Sequence, residues 1–173
     1  HDERGAGRAL VERLDERGVK VLSILEATST EAVDAQVREW LGAGPFALPH
    51  DAPSWANFGQ RRLNNNVLQS LHTGLDIRVP FGEPIRASNA GTVVLASDLY
   101  YGGKTVIIDH GLGVFSSYGH MSGLLVKRGE AVRKGQTVGL CGTTGRSTGP
   151  HLHWSFKVLE TRVDPEAMIR LPL

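Results

Sequence analysis

A mainly β fold is what this sequence predicts, and three observations predict it. Glycine is abundant, at 21 of 173 residues, and glycine supplies the φ > 0 positions of tight turns. From about Trp55 onward, short β-branched or aromatic runs are punctuated by glycine. No helical apolar period intervenes between them. The runs Val93–Ala96, Thr105–Asp109, Val114–Tyr118 and Thr137–Cys141 read as strands. Strands this short and this frequent predict a compact sandwich or a partly closed barrel.

The β region also echoes itself. Gly82-Glu83-Pro84-Ile85 with Gly91-Thr92-Val93 resembles Gly129-Glu130-Ala131-Val132 with Gly135-Gln136-Thr137-Val138. Each reads as a turn, the start of a strand, a second turn and another strand. A duplicated β unit is expected from this half-repeat.

Residues 1–44 read differently, as a small α/β appendage that could be the tail of a larger domain. A helix is predicted over Arg8–Arg17, with Leu10, Val11 and Leu14 on one face and Gly18 as its stop. Val19–Leu25 is read as a strand. A second helix begins at Thr28 with Glu31 completing a capping box; Val33, Val37, Trp40 and Leu41 form its apolar stripe and Gly42 ends it. Residues 45–55 carry Pro45, Pro49 and Pro53 and read as a linker. Residues 56–173 hold the motifs with chemistry.

Composition excludes several classes. Nineteen basic against eighteen acidic side chains leave a formal charge of +1, without a Lys/Arg cluster, so nucleic acid is not an expected partner. No run approaches the roughly 20 apolar residues that span a bilayer. The single cysteine, Cys141, precludes an intrachain disulfide and a cysteine-based zinc cluster; in its apolar, glycine-flanked run it reads as a buried, inert thiol. The chain opens on His1 without a recognisable export signal, and reads as a processed or trimmed piece.

The histidines point to a metal. If Leu71–Val79 is extended, alternation puts His72, Gly74 and Asp76 on one face and Leu75, Ile77 and Val79 on the other. An imidazole and a carboxylate separated by one small residue can then converge on one ion. In His151-Leu152-His153-Trp154-Ser155-Phe156, alternation gives His151, His153 and Ser155 one face and the apolar residues the other. Tyr118 and His120 are expected to share a face across Gly119. Imidazole with carboxylate and no thiolate suits a single catalytic zinc ion, which needs three protein ligands and an open position for water. Zinc makes such water acidic enough to react near neutral pH, and the remaining histidines supply a general base and an oxyanion donor.

His72-x-x-x-Asp76 and His151-x-His153, with Tyr118-Gly119-His120-Met121 between them, resemble the signature of lysostaphin/LytM-type zinc metallopeptidases. Phe58-Gly59-Gln60-Arg61-Arg62, Ile108-Asp109-His110-Gly111, Gly145-x-Ser147-x-Gly149-Pro150 and Val163-Asp164-Pro165 extend the likeness over about Ala56 to Met168. The resemblance implies that His72, Asp76 and His153 hold the zinc. It implies that His120 and His151 are the catalytic pair, His151 as base and His120 at the oxyanion, or the reverse. His110 is implied to be structural. The implied fold is an antiparallel β-sheet groove of the duplicated hybrid motif, related to the barrel-sandwich hybrid of carrier domains, which accounts for the half-repeat. The implied function is an endopeptidase acting on peptide cross-links or stem peptides of bacterial peptidoglycan, in the cell envelope, with other envelope proteins as further partners. The alternative is an inactive LytM-like module that binds or activates another cell-wall hydrolase. Asn64–Asn66, just upstream of His72, could also make such an enzyme latent by occupying the open metal position.

Overall fold

Alternation of side chains along the long strands builds the core of this protein. The computed structural model describes residues 21–23, 39–64 and 67–172. The expected helix over Arg8–Arg17, residues 28–38 of the second, and Asn65–Asn66 lie outside the described residues. In chain order the strands are β1 (Val21–Ser23), β2 (Ser54–Ala56), β3 (Arg61–Asn64), β4 (Val67–Leu71), β5 (Leu75–Ile77), β6 (Pro84–Arg86) and β7 (Gly91–Leu99). They continue with β8 (Gly103–Asp109), β9 (Val114–Leu124), β10 (Ala131–Val132), β11 (Thr137–Cys141), β12 (Leu152–Val158) and β13 (Thr161–Val163). A short helix, α1 (Pro165–Arg170), follows.

Antiparallel pairing carries the main sheet in the order β1-β13-β12-β9-β8-β7-β10, and β3 and β4 form a separate hairpin. The fold is mainly β, as expected, but the sheet stays open rather than closing into a barrel. On β12, Leu152, Trp154, Phe156 and Val158 are fully buried, in one core with Tyr118 and Met121 of β9 and Val106 and Ile108 of β8. Each large side chain taken from water here contributes about 1.5–3 kcal/mol. Cys141 is fully buried too. Its thiol lies 3.2 Å from the Val79 carbonyl, and burial pushes its pKa up to about 11.

The half-repeat becomes an exchange of strands. β6, from the first half, pairs with β11 of the second, while β10 of the second pairs with β7 of the first. The equivalent turns begin at Gly82 and Gly129, with φ of 84° and 87°, a region where a Cβ would be strained. Ile85 and Val132 are buried at matching positions, as are Val93 and Val138.

Outside the strands, two expectations change. Glu39–Gly42 are not helical: Leu41 donates its N–H to the His110 carbonyl at 2.9 Å, and Trp40 stacks edge-on against Phe46 at 5.9 Å. A long-range contact has taken the backbone that local capping would have kept. The proline-bearing stretch does lack regular structure until β2, yet Phe46 is buried in the core and the Pro49 and Pro53 carbonyls accept from Arg86 and Arg78. The helix α1 was not expected. Its signal is Asp164-Pro165, where Asp164 caps the Glu166 N–H at 3.0 Å and proline takes the first turn.

Candidate metal centre

Register brings the two main motifs side by side. β12 pairs with β5 so that His153 lies opposite Asp76, and pairs with β9 so that His153 lies opposite Gly119. With Leu75 and Ile77 anchored in the core, the Asp76 carboxylate must project to the other face, where His153 also projects. His72 arrives differently from expectation. It precedes β5 in a non-strand segment, and its backbone pairs instead with Gln60 and Gly59, at 2.8 and 2.7 Å. Its ring still reaches the same point.

The three donor atoms converge tightly. His72 Nε2 and His153 Nδ1 lie 3.1 and 2.8 Å from Asp76 Oδ1, and 3.2 Å from each other. His72 and Asp76 are buried, and His153 is partly so. The Nδ1 of His72 lies 3.1 Å from the Asn57 carbonyl. A carbonyl can only accept, so Nδ1 carries the proton and Nε2 turns its lone pair to the centre. Burial works to raise the Asp76 pKa, but the adjacent His153 and His72 rings overcome it and hold the carboxyl well below the usual carboxylate range. Burial lowers that of His153, against the opposing pull of Asp76 and with a further contribution from the Arg162 charge. Two neutral imidazoles and one carboxylate, without thiolate, fit a borderline divalent cation.

Gly74 makes this approach possible. A Cβ there would stand 2.5 Å from the Trp154 carbonyl oxygen and 2.8 Å from His153 Cε1. Gly74→Ala is therefore expected to push β5 and the His153 ring apart and weaken metal affinity by about tenfold or more. A metal-competition titration reads this; unchanged affinity would show that the strands have slack here.

Two further histidines border the cluster. His151 Nε2 lies 3.8 Å from Asp76 Oδ1, and the rings of His151 and His120 are 4.6 Å apart. His151 Nδ1 sits 2.8 Å from the Gly149 carbonyl and 3.2 Å from Ser147 Oγ, which itself donates to Gly149. His120 Nδ1 sits 2.8 Å from the Thr144 carbonyl. Both rings therefore carry the Nδ1 proton and leave Nε2 as an acceptor. Burial lowers the His120 pKa to about 4, against the Thr144 hydrogen bond and helped by the nearby His151 ring.

His120 and Tyr118 do not share a face, contrary to expectation. Tyr118 is fully buried, accepting the Ser88 N–H at 2.8 Å, whereas His120 borders the metal cluster. The backbone explains the switch. His120 has φ of 63°, its N–H is captured by the Gly102 carbonyl at 2.7 Å, and the β8–β9 register shifts nearby. The left-handed conformation costs about 1–2 kcal/mol and turns the ring out of the core. His110 instead lies fully buried, 2.7 Å from the Ala90 carbonyl and 2.8 Å from Ser116 Oγ. Sequence reading gave no role to the Asn57 and Thr144 carbonyls, because main-chain acceptors carry no residue signature.

Residues 70–165 match the family described as Peptidase family M23. Peptidoglycan DD-endopeptidase ShyA of Vibrio cholerae is 42% identical over 104 residues, which make up 60% of this chain and 24% of that protein. A zinc containing peptidase from Vibrio cholerae, known from its crystal structure, superposes with a TM-score of 0.67 at 31% identity, covering 73% of this chain and 40% of that one. The catalytic domain of lysostaphin from Staphylococcus simulans gives a TM-score of 0.63 at 30% identity, covering 70% of this chain and 94% of that domain. The chain spans about a quarter of the length of the curated relatives it matches.

Proposed function

Since the chain belongs to peptidase family M23, we propose that it is a zinc-dependent endopeptidase that hydrolyses peptide cross-links or stem peptides of bacterial peptidoglycan. The observation that carries this reading is the convergence of His72 Nε2, Asp76 Oδ1 and His153 Nδ1, all within 3.2 Å of one another, with His120 and His151 beside them. These three residues would hold one zinc ion. When bound, the ion supplies Lewis acidity toward water and the scissile carbonyl.

The chain's own residues manage the protons. His151 and His120 both present an Nε2 lone pair, so either can accept a proton from the attacking water. We assign that step to His151 Nε2, and the steadying of the oxyanion to His120. Neutral His120 cannot donate from Nε2, so its assigned role requires that His120 first take up a proton from solvent, which Nε2 then donates to the oxyanion. The Gly149 and Thr144 carbonyls fix both rings throughout. Residues 56–173 form the catalytic unit in this reading, with 45–55 as a linker and 1–44 as a packing or positioning module.

The name of the relative peptidoglycan DD-endopeptidase ShyA supports peptidoglycan as the substrate, and an envelope location is inferred from that substrate. Among the described residues, no helix is long and apolar enough to cross a membrane. Incubating the zinc-loaded protein with purified peptidoglycan, with and without chelator, tests the proposal. Released muropeptides should appear only without chelator and be identifiable by mass spectrometry. No product in either sample, with retained binding to a cell-wall hydrolase, would favour an inactive module.

A further inference from the structure

One cation on the metal-bearing face of the sheet has no part in the centre itself. Arg162 of β13 lies opposite Lys157 of β12. Val163 and Phe156 fill the core, so alternation places Arg162 and Lys157 on the other face, with Ser155 and His153. Arg162 Nη1 donates to Ser155 Oγ at 3.1 Å. Its Nε is buried and has no hydrogen-bond partner among the described residues.

That arrangement is half complete. A guanidinium offers five N–H donors in a planar fork shaped for a carboxylate, and here a neutral hydroxyl is what it meets. Burial also lowers its pKa, as expected of a cation withdrawn from water. Ser155 stands two residues from His153, about 7 Å along the strand. A carboxylate beside Arg162 and Ser155 would thus complete the fork next to the reacting centre.

We propose that Arg162, with Ser155 beside it, is a carboxylate-binding subsite that fixes a carboxyl group of the peptide substrate alongside the metal cluster. The proposal rests on the peptidase reading above, but its test does not depend on turnover. Two forms of a cross-linked stem-peptide dimer serve as probes, one with free carboxylates and one with those carboxylates amidated. KM, kcat and equilibrium binding are measured for zinc-loaded wild type, Arg162→Gln, Arg162→Lys and Ser155→Ala.

Wild type should prefer the free acid by about tenfold or more in KM and in binding. Arg162→Gln should bring that ratio close to one, Arg162→Lys should retain part of it, and Ser155→Ala should reduce it. Arg162→Gln should also melt no lower than wild type, because no complete ion pair is lost. A wild type indifferent to amidation, or an Arg162→Gln variant that keeps the preference, would overturn the subsite. So would a drop in melting temperature in Arg162→Gln with equal weakening of binding to the acid and amidated forms, which would mark Arg162 as structural. Acid-selective binding without any hydrolysis would instead leave the subsite standing and remove the peptidase reading.

Discussion

Replacing His153 by alanine is expected to abolish metal binding, whereas replacing His151 by alanine should leave the metal in place and slow turnover by about 10²–10⁴-fold. The two residues are separated by Leu152 alone and project to the same face, so proximity does not distinguish them. Their geometry does. His153 Nδ1 is 2.8 Å from Asp76 Oδ1 and 3.2 Å from His72 Nε2, inside the donor cluster. His151 Nε2 is 3.8 Å from the same carboxylate oxygen, and its ring lies against His120 rather than His72. Removing His153 leaves two donors where a tetrahedral site needs three protein ligands and an open position. Removing His151 leaves all three donors and takes away an acceptor oriented by the Gly149 carbonyl. Metal content measured by mass spectrometry, beside hydrolysis rates on the same samples, separates the two roles. Zinc lost from His151→Ala would mean that the ligand set has been drawn wrongly.

The two motifs that meet at this centre were legible to different degrees. On β12 the alternation rule holds throughout: Leu152, Trp154 and Phe156 are fully buried, and His153 and Ser155 lie on the other face. Strand positions followed from β-branched runs, because pairing and burial reward the same residues that composition reveals. The half-repeat was visible as similar sequence, but not the strand exchange that makes it, since pairing across halves is long-range.

Where alternation failed, an identifiable hydrogen bond overrode it. The Gly102 carbonyl captured the N–H of His120, and the resulting φ of 63° reversed that side chain. The main chain of Gln60 and Gly59 drew His72 out of the strand predicted for it. The His110 carbonyl similarly held Leu41 outside a helix. None of these acceptors is a side chain, so none leaves a mark in the sequence. Arg162 leaves no mark in the sequence for another reason. A lone arginine in a charged, exposed-looking run gains meaning only when β13 pairs with β12 and sets it over Ser155.

Acid should cost this protein stability through His110, a residue away from the metal. The ring is fully buried, edge-on to Phe46 at 5.0 Å, with Nδ1 against the Ala90 carbonyl and Nε2 against Ser116 Oγ, which lies 2.9 Å from the Tyr118 hydroxyl. Nδ1 must donate to the carbonyl, so neutral Nε2 accepts from Ser116. Protonation would set an N–H against that hydroxyl and force it to turn. Burial therefore lowers the pKa from 6.5 to about 4, partly offset by the Ala90 hydrogen bond. The folded pKa lies below the unfolded one, so the unfolded chain takes up a proton first as pH falls. His110 contributes its full stability above about pH 6.5 and loses it between there and about pH 4, by about 3 kcal/mol. His120 and His153, whose pKa values burial also lowers, add slopes of the same sign, so the informative quantity is a difference. Urea unfolding of wild type and His110→Gln, at matched zinc and from pH 7.5 to 4, should show the variant less stable at neutrality but flatter toward acid. Parallel curves would mean that His110 takes up its proton in the folded state as readily as in the unfolded chain, and that the acid sensitivity comes from the histidines around the metal centre.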